Sequence, residues 1–366
     1  MSFFEGKRVL ITGACGTVGS ALTEMLLKDP NYRPDEVIAL DNRESELFFM
    51  DQKYLSDPRA TFSMADVRDR DKLCRKMKGV DVVFHLAALK HVVLCERSPF
   101  EAVQTNIHGV QNVIYAAMEN NVERVIFSSS DKAVNPTNVM GTSKLMGERL
   151  ITAASSTRQS CRTVFASTRF GNVLGSAGSV VPIFRKQIAM GGPVTLTDVE
   201  MTRFIMSIQQ ATKLVIDSAM LARGGEVFIT KMAVARIEDL ARVMIDELAD
   251  HFGYSSEQIK MITIGSKPGE KLYEELMSLE EMRRALELQK YFSVLPAFRG
   301  LYTEITYDYQ DIVSTAVGSP YVSSKEEPLS IDCLRSFMIQ NNLLFEDLDA
   351  VRHPSERYWP GDKEAN

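Results

Sequence analysis

The 366-residue sequence predicts an α/β fold in which helices cover both faces of a doubly wound parallel sheet. Through the N-terminal half, short apolar runs alternate with helix-length amphipathic segments. Such alternation is typical of βαβ units, whose crossovers are right-handed and whose strands are buried on both faces. A second observation agrees with the first: a glycine-rich turn follows the first apolar run directly and precedes the first helical segment.

The elements of the N-terminal half are predicted in a regular order. Strands are expected at Arg8–Thr12, Glu36–Asp41, Ala60–Met64, Asp81–His85, Arg124–Ser128 and Arg162–Thr168. Helices are expected at Gly19–Lys28, Asp69–Met77, Phe100–Asn120 and Asn138–Ser155. Strands of about five residues are the usual length in globular proteins, so this order is consistent with one continuous sheet.

After Arg169 the alternation loosens, and residues 171–193 are rich in glycine, serine and proline. We expect this stretch to leave the sheet and form a lid. Further helices are expected at Gln209–Leu221, Glu238–Phe252, Gly269–Met277 and Ile331–Asn341, and further strands at Glu226–Thr230 and Tyr302–Tyr309. The second half is therefore predicted to form a smaller, mixed α/β domain at the carboxyl ends of the strands, where open sheets bind ligands.

The composition narrows the function classes. A net charge of −6 argues against non-specific nucleic-acid binding, which needs a basic face. The five cysteines form no CxxC pair and the five histidines are scattered, so we expect a reducing compartment and no metal site. No apolar run approaches the roughly 20 residues that span a bilayer. The first strand begins too early for a signal peptide, so a cytoplasmic protein is expected.

The glycine-rich turn, Thr12–Gly19, has the spacing of a dinucleotide-binding loop. Gly13 permits the tight turn, Gly16 lets backbone N–H groups approach a pyrophosphate, and Gly19 allows close helix–strand packing. The N-terminus of the next helix adds partial positive charge. The candidate cofactor-binding residues of this loop are Gly13, Cys15, Gly16, Thr17, Val18 and Gly19. The sequence therefore predicts a Rossmann fold.

Two acids extend the predicted cofactor site. Asp41 closes the second strand, where an acid binds the ribose hydroxyls of NAD and repels the 2′-phosphate of NADP. Arg43 would pair with that phosphate, so NADP remains an alternative to NAD. Asp66 and Val67 follow the third strand and are candidates for the adenine, although Asp66 would equally serve as a helix N-cap.

Five longer segments carry a family resemblance over about Lys7–Leu276. They are Phe84–Val92, Thr105–Gly109, Ser128–Lys144, Arg169–Pro182 and Lys267–Glu275. Together they resemble the extended short-chain dehydrogenases/reductases and, within these, the UDP-N-acetylglucosamine 4,6-dehydratases of bacterial capsule, flagellin-glycan and legionaminic-acid biosynthesis. The resemblance implies that Ala87 and Ala88 line the cofactor and that the Asn106 region stiffens the central sheet.

The sequence departs from that superfamily at one position. The usual catalytic pair is Tyr-x-x-x-Lys, one helical turn apart on the same face. Here the pair is Met140 and Lys144, and a thioether cannot usefully donate or accept a proton. Methionine at this position resembles one branch of the dehydratases, although a methionine on a helix is more often part of the core.

The resemblance implies how the site works. The enzyme oxidises C4 of the sugar, removes the C5 proton, expels the C6 hydroxyl as water and returns the hydride to C6. Lys132 takes the C5 proton, Asp131 protonates the leaving hydroxyl, Ser130 hydrogen-bonds the C4 oxygen, and Lys144 binds the nicotinamide ribose. Because Met140 cannot take the C4 hydroxyl proton, our hypothesis gives it to Asp131. A mutual ion pair would hold Asp131 and Lys132 in their charged forms and oppose both roles.

Residues outside this cluster are candidates for the nucleotide sugar. They are Lys90, Asn172, Ser179, Val180, Val181, Arg203 and Glu270. Glu270 would equally complement a helix dipole from a first turn. Lys90 and His91 are included by loop position alone, and a lone histidine is more often structural.

We therefore expect an NAD(P)-binding Rossmann domain from residues 1–170 plus about 205–230, and a substrate-binding domain from about 171–204 and 231–366. The predicted function is dehydration of a nucleotide sugar, with UDP-N-acetylglucosamine expected. A sugar 4-epimerase and a non-catalytic NAD(P)-sensing protein are the alternatives. Relatives pair through the two long helices, so a homo-oligomer is expected.

Overall fold

The computed structural model describes residues 2–156, 162–176, 178–265, 269–298 and 305–345. The strands are β1 Arg8–Thr12, β2 Glu36–Asp41, β3 Ala60–Met64, β4 Val82–His85, β5 Arg124–Ser130, β6 Val164–Phe170, β7 Asn172–Val173, β8 Val194–Leu196, β9 Thr202–Met206, β10 Val227–Thr230, β11 Ala233–Arg236, β12 Met261–Thr263, β13 Glu275–Met277, β14 Ala285–Leu288, β15 Tyr291–Val294, β16 Ile312–Ser314 and β17 Tyr321–Val322. The helices are α1 Thr17–Lys28, α2 Glu44–Lys53, α3 Arg70–Lys76, α4 Val92–Arg97, α5 Pro99–Val103, α6 Gly109–Glu119, α7 Val139–Ser156, α8 Val180–Ala189, α9 Ile208–Leu221, α10 Ile237–Leu248, α11 Leu279–Met282 and α12 Ile331–Gln340.

The chain divides into two compact units. The first comprises Met1–Phe170, Gln209–Lys231 and Glu275–Val322, and the second comprises Gly171–Ile208, Met232–Glu274 and Ser323–Asn366. This division differs from the expected boundaries in one segment, because residues 275–322 were assigned to the second domain. In the structure β14, β15 and β16 extend the large sheet of the first unit, so their hydrogen bonds place this segment there.

The first unit is built on a ten-stranded sheet in the order β16-β14-β15-β10-β6-β5-β4-β1-β2-β3. From β3 to β10 all neighbours are parallel, and the order 3-2-1-4-5-6 is that of a doubly wound Rossmann sheet. The central strands are almost completely buried because helices cover both faces. The predicted fold class is confirmed.

The second unit has its own hydrophobic core. A three-stranded sheet, β11-β9-β7, and a two-stranded sheet, β12-β8, pack with α8, α10 and α12. Buried side chains such as Val181, Phe184, Leu240, Met244 and Leu334 form this core.

Two expected elements of the second half were wrong. The structure has no helix at residues 269–277; Glu275–Met277 is instead a strand paired with β17. Residues 305–309 form no strand, and residues 302–304 lie outside the described residues. Tyr309 is instead buried in irregular structure, with its hydroxyl beside Ser293 and Glu226.

The predicted long helix at Phe100–Asn120 is interrupted in its middle. Residues Gln104–His108 form a π-helical turn between α5 and α6. Such turns insert one extra residue and often lie at functional sites. Here the turn carries Asn106, whose contacts are described below.

Candidate active site

The glycine loop lies between β1 and α1, at the carboxyl end of the parallel sheet. Gly13 has φ +71°, and a Cβ there would come within 2.6 Å of the Ala87 backbone nitrogen. A Cβ on Gly19 would lie 2.2 Å from the Gly13 carbonyl oxygen. Helix α1 starts after Gly16 and has no acidic residue in its first turn, so its dipole favours an anion at this end. Thr17 and Val18 lie in that turn. This backbone cradle fits the pyrophosphate of a dinucleotide.

Asp41 ties the glycine loop to the end of β2. Its carboxylate accepts hydrogen bonds from the Cys15 backbone N–H (2.9 Å) and the Arg43 backbone N–H (3.1 Å), and Arg43 Nε lies 3.3 Å from it. Burial, and then Asp41, raise the pKa of the Cys15 thiol to about 12. Partial burial, and then Arg43, lower the pKa of Lys90. Arg43 and Lys90 are therefore close enough for electrostatic repulsion between them.

The N-cap alternative for Asp66 was wrong. Helix α3 is capped by Asp69, whose side chain accepts from the Lys72 backbone N–H at 2.9 Å. Asp66 instead pairs with Arg68, with Nη2 at 2.7 Å from Oδ2, and Arg68 lowers the pKa of Asp66. Val67 is buried beside Gly109 of α6, where an added Cβ would lie 2.8 Å from a Val67 methyl group.

Asn106 holds the loop after β4, which contains Ala87 and Ala88. Its Oδ1 accepts from the Leu89 N–H (2.8 Å), and its Nδ2 donates to the Leu89 carbonyl (2.9 Å) and to Ser143 Oγ (2.9 Å). The π-helical turn thus connects the loop to α7. The resemblance gave Asn106 a role in stiffening the sheet, and its contacts show that it fixes this loop. Lys90 and His91 follow at the loop's end.

The predicted acid–base turn follows β5. Ser130 ends the strand and Asp131–Ala133 forms a single 3-10 turn. The Asp131 carboxylate accepts from Ser130 Oγ (2.5 Å), the Lys132 backbone N–H (2.9 Å) and Lys132 Nζ (3.2 Å). Asp131 is buried, while the Lys132 side chain is 28% exposed. The mutual ion pair that would oppose both predicted roles is therefore present in this state.

Helix α7 brings Lys144 to the same end of β5. Lys144 is buried, and its Nζ donates to the Ser128 carbonyl at 2.9 Å and lies 4.8 Å from the centre of the Phe127 ring. Burial lowers its pKa to about 8, against an opposing effect of Glu148. Met140, one turn earlier, is buried against Cys95 and Ala102. The position of the usual tyrosine is therefore occupied by a packed thioether.

Gly141 is a site residue that the sequence interpretation missed. A Cβ at this position would lie 2.2 Å from the Lys132 carbonyl oxygen. The absence of a side chain thus lets α7 contact the backbone of the acid–base turn. The only signal in the sequence was a glycine inside a helix, which usually has a packing or functional reason.

The candidate substrate residues lie in the second unit, except for Lys90. Asn172 is in β7, and Ser179 is the N-cap residue of α8, followed by Val180 and the buried Val181. Within the described residues, Ser179 Oγ is buried without a hydrogen-bond partner. This hydroxyl therefore lies at the N-terminus of α8, beside the backbone N–H groups of its first turn.

Arg203 organises the segment that contains Glu270. It donates to the carbonyls of Thr202 (2.8 Å), Lys271 (2.8 Å) and Leu272 (3.1 Å). Its guanidinium lies 3.9 Å from Glu270. Glu270 lies in no helix, because the described residues 269–277 contain none, so the alternative role of complementing a helix dipole from a first turn was wrong.

The described ranges contain neither a metal-binding cluster nor a membrane-spanning helix. No group of three or more His, Cys, Asp or Glu side chains there is arranged to hold a metal ion. None of the helices in the described part of the chain has the length and apolar character needed to cross a bilayer.

Comparison with known proteins gives consistent matches. Over 297 residues the chain is 39% identical to a Campylobacter jejuni protein named UDP-N-acetylglucosamine 4,6-dehydratase (inverting), covering 81% of this chain and 85% of that protein. Over 352 residues it is 36% identical to a Rickettsia canadensis protein named UDP-glucose 4-epimerase, covering 94% and 99%. The X-ray structure of Pen from Bacillus thuringiensis superposes with a TM-score of 0.85 at 40% identity, covering 93% and 99%.

The model of the family described as polysaccharide biosynthesis protein matches residues 9–296, which include the glycine loop, the acid–base turn and Lys144. The chain therefore belongs to the polysaccharide biosynthesis protein family.

Proposed function

We propose that this chain is a nucleotide-sugar 4,6-dehydratase that converts UDP-N-acetylglucosamine to the UDP-2-acetamido-2,6-dideoxy-4-keto-hexose in bacterial surface-glycan biosynthesis. One observation carries the proposal: a buried acid and a lysine, Asp131 and Lys132, stand at the end of β5, while Met140 occupies the usual tyrosine position. Elimination of water needs an acid–base pair of this kind. Epimerisation normally needs the missing tyrosine and has no use for the pair.

The cofactor in this proposal is NAD, which supplies a reversible hydride acceptor. The glycine loop holds its pyrophosphate, Asp41 its adenosine ribose, Asp66 and Val67 its adenine, and Lys144 its nicotinamide ribose. NADP is the alternative cofactor, because Arg43 would pair with its 2′-phosphate. Lys90 is a second cation close enough to Arg43 for the two charges to interact. Competitive binding of the two cofactors to the purified protein distinguishes them.

The first proton movement uses the Ser130–Asp131 contact. Ser130 donates its hydrogen to Asp131 and accepts from the Lys132 backbone N–H at 3.2 Å, which leaves one lone pair for the C4 hydroxyl of the sugar. As that hydroxyl loses its proton, Ser130 passes a proton to the carboxylate. Asp131 is then the neutral acid that later protonates the leaving C6 hydroxyl.

The second proton movement requires a neutral Lys132. Protonation of Asp131 removes the charge that stabilises the Lys132 ammonium at 3.2 Å, and the partly exposed Lys132 releases a proton to water. The free amine then takes the C5 proton. It returns a proton to C5 when hydride reaches C6, and one proton from water restores the ion pair. The protons that leave C4–OH and C5 are thus matched by those delivered to C6–OH and C5.

The substrate's nucleotide diphosphate is assigned to the second unit. The proposed contacts are Asn172, Ser179 Oγ and the backbone of Val180 and Val181 at the start of α8, with Glu270 at the uridine ribose. Arg203 supports this site by fixing the carbonyls of residues 271 and 272.

The experiment that tests the function is incubation of the purified protein with NAD and UDP-N-acetylglucosamine, followed by mass spectrometry. Loss of one water from the sugar supports the dehydratase. Conversion without a mass change identifies a 4-epimerase, the second candidate favoured by the Rickettsia relative. Binding without turnover would identify an NAD(P)-sensing protein. Proton NMR of the product then distinguishes retention from inversion at C5.

We also propose a homo-oligomer and a cytoplasmic location. Tyr115 on α6 and Met146 on α7 are 43% and 47% exposed, which supports pairing through these helices. The described cysteines Cys15, Cys74, Cys95 and Cys333 are free thiols, as in a reducing compartment. Light scattering of the wild type and Met146→Glu tests the pairing.

A further inference from the structure

Arg169, near the end of β6, forms a buried ion cluster that the proposed chemistry does not use. Its partners are Glu148 of α7 and Glu281 of α11, all within the first unit. Arg169 is 1% exposed, and both glutamates are buried as well. Glu281 also closes a capping box with Ser278, which fixes its backbone.

Every N–H donor of the Arg169 guanidinium is used. Nε and Nη2 donate to the two oxygens of Glu148 at 2.8 and 2.7 Å. Nη1 and Nη2 donate to Glu281 at 2.9 and 2.7 Å, and Nη1 also donates to the Leu276 carbonyl at 2.8 Å. A guanidinium has five N–H donors, so the cluster is saturated. Both carboxylate oxygens of Glu148 are therefore directed at Arg169.

Stability alone explains this cluster poorly. Removing three charges from water is costly, and well-packed apolar side chains often stabilise a core as much. Against the effect of burial, Arg169 lowers the pKa of Glu281 to about 2, so the acid is fully ionised. The contacts of Arg169 fix the positions of the two carboxylates, Glu148 and Glu281, inside the first unit.

Lys144 is the neighbour that this charge affects. It precedes Glu148 by four residues on α7, a spacing at which lysine and glutamate usually pair. Lys144 instead donates to the Ser128 carbonyl at 2.9 Å. The other titratable groups that act on it are Cys95 of α4 and His85 of β4. Burial, and then Lys144, lower the pKa of His85 to about 3, so this histidine is neutral.

We propose that Arg169 is a positioning residue for Lys144 and that Glu281 holds Arg169 in place: by engaging both oxygens of Glu148, Arg169 keeps that carboxylate from pairing with the Lys144 ammonium. Lys144 then stays at the Ser128 carbonyl, the position from which the proposed function has it bind the nicotinamide ribose. The inference rests on the proposed function only for the role of Lys144 itself.

The test measures the ionisation of Lys144 directly. Protein with ¹³Cε-labelled lysine is titrated by NMR, and the Lys144 signal is assigned by its loss in Lys144→Arg. In Arg169→Met, Glu148 turns to Lys144 and raises its pKa by about one to three pH units, the usual effect of an opposite charge at 4–6 Å. In Glu148→Gln the pKa falls, because the carboxylate that opposes burial is gone.

The double variant Arg169→Met/Glu148→Gln separates positioning from structure. It lacks the uncompensated Glu148 charge that destabilises Arg169→Met, and its Lys144 pKa is expected at or below the wild-type value. Arg59→Met is the matched control, because it breaks a different Arg–Asp pair of the first unit. An unchanged Lys144 pKa in a folded Arg169→Met, or an equal rise in the double variant, would overturn the inference. Wild-type cofactor binding and turnover in Lys144→Met would instead refute the proposed role of Lys144.

Discussion

Replacing Gly141 with alanine tests whether the position of the acid–base turn governs turnover. The new Cβ would lie 2.2 Å from the Lys132 carbonyl oxygen, a backbone atom that cannot rotate away. Restoring an ordinary contact moves the turn or α7 by about 1 Å, and misplacement of that size costs on the order of 100-fold in rate. We therefore expect kcat of Gly141→Ala to fall about 100-fold.

The effect of Gly141→Ala on stability should be small by comparison. Alanine gains about 1 kcal/mol over glycine inside a helix. Overpacking costs about 1–3 kcal/mol, so the net loss in the free energy of unfolding is about 0–2 kcal/mol. Urea unfolding measures this loss, and product formation at saturating substrate measures kcat.

Gly147→Ala is the matched control on the same helix. Its Cβ would meet a side chain, the Phe127 ring at 2.7 Å, and not the turn. We expect a comparable loss of stability with kcat within about threefold of wild type. If Gly141→Ala kept wild-type kcat, or if Gly147→Ala lost as much, the geometry of the turn would not be the cause and the reasoning would be refuted.

Four further predictions follow from the site. Asp131→Asn should abolish turnover as fully as Lys132→Ala in a single-turnover assay; wild-type turnover in Asp131→Asn would remove Asp131 from the proton path. Turnover in D₂O should place deuterium at C5, because Lys132 exchanges with water between its two steps; NMR showing hydrogen at C5 would contradict this order. Burial lowers the pKa of Lys144 in the folded state to about 8, below its value in the unfolded chain. The free energy of unfolding of the wild type should therefore rise between pH 8 and pH 10, relative to that of Lys144→Met. Urea unfolding should show a rise on the order of 3 kcal/mol. Arg43→Ala should weaken binding of NADP, if it binds, and leave NAD within a few-fold in fluorescence titrations, whereas equal losses would assign Arg43 to the Asp41 loop alone.

The sequence predicted the first six strands closely, because each has a local signal. A buried parallel strand is a continuous apolar run, and the turn after β1 has a fixed glycine spacing. The segment Gly269–Met277 was different. Its apolar residues fit a helical period, but β13 forms by pairing with Tyr321–Val322, more than forty residues later. A pattern within nine residues carries no information about that partner.

The same distinction applies to the site. The four residues of the predicted site lie within fifteen positions of the chain, so the sequence was enough to group them: Ser130, Asp131, Lys132 and Lys144. The contact of Gly141 with the Lys132 carbonyl depends on how α7 packs. The cluster of Glu148, Arg169 and Glu281 joins residues more than a hundred positions apart. Such contacts determine how the candidate catalytic residues are held, and local pattern does not encode them.

The structure gives the two lysines of the site opposite environments, and this difference orders the proposed chemistry. Within the described residues, Lys144 is buried and its ammonium bonds to a carbonyl and to no carboxylate, and burial lowers its pKa to about 8. Lys132 is partly exposed, and its ammonium lies 3.2 Å from the Asp131 carboxylate. In the mechanism that we propose, Lys132 stays charged until Asp131 takes the proton of the C4 hydroxyl. At that moment C4 becomes a ketone and the C5 proton becomes acidic. In the proposed mechanism, therefore, the ion pair prevents Lys132 from acting as a base before oxidation has prepared the sugar for elimination.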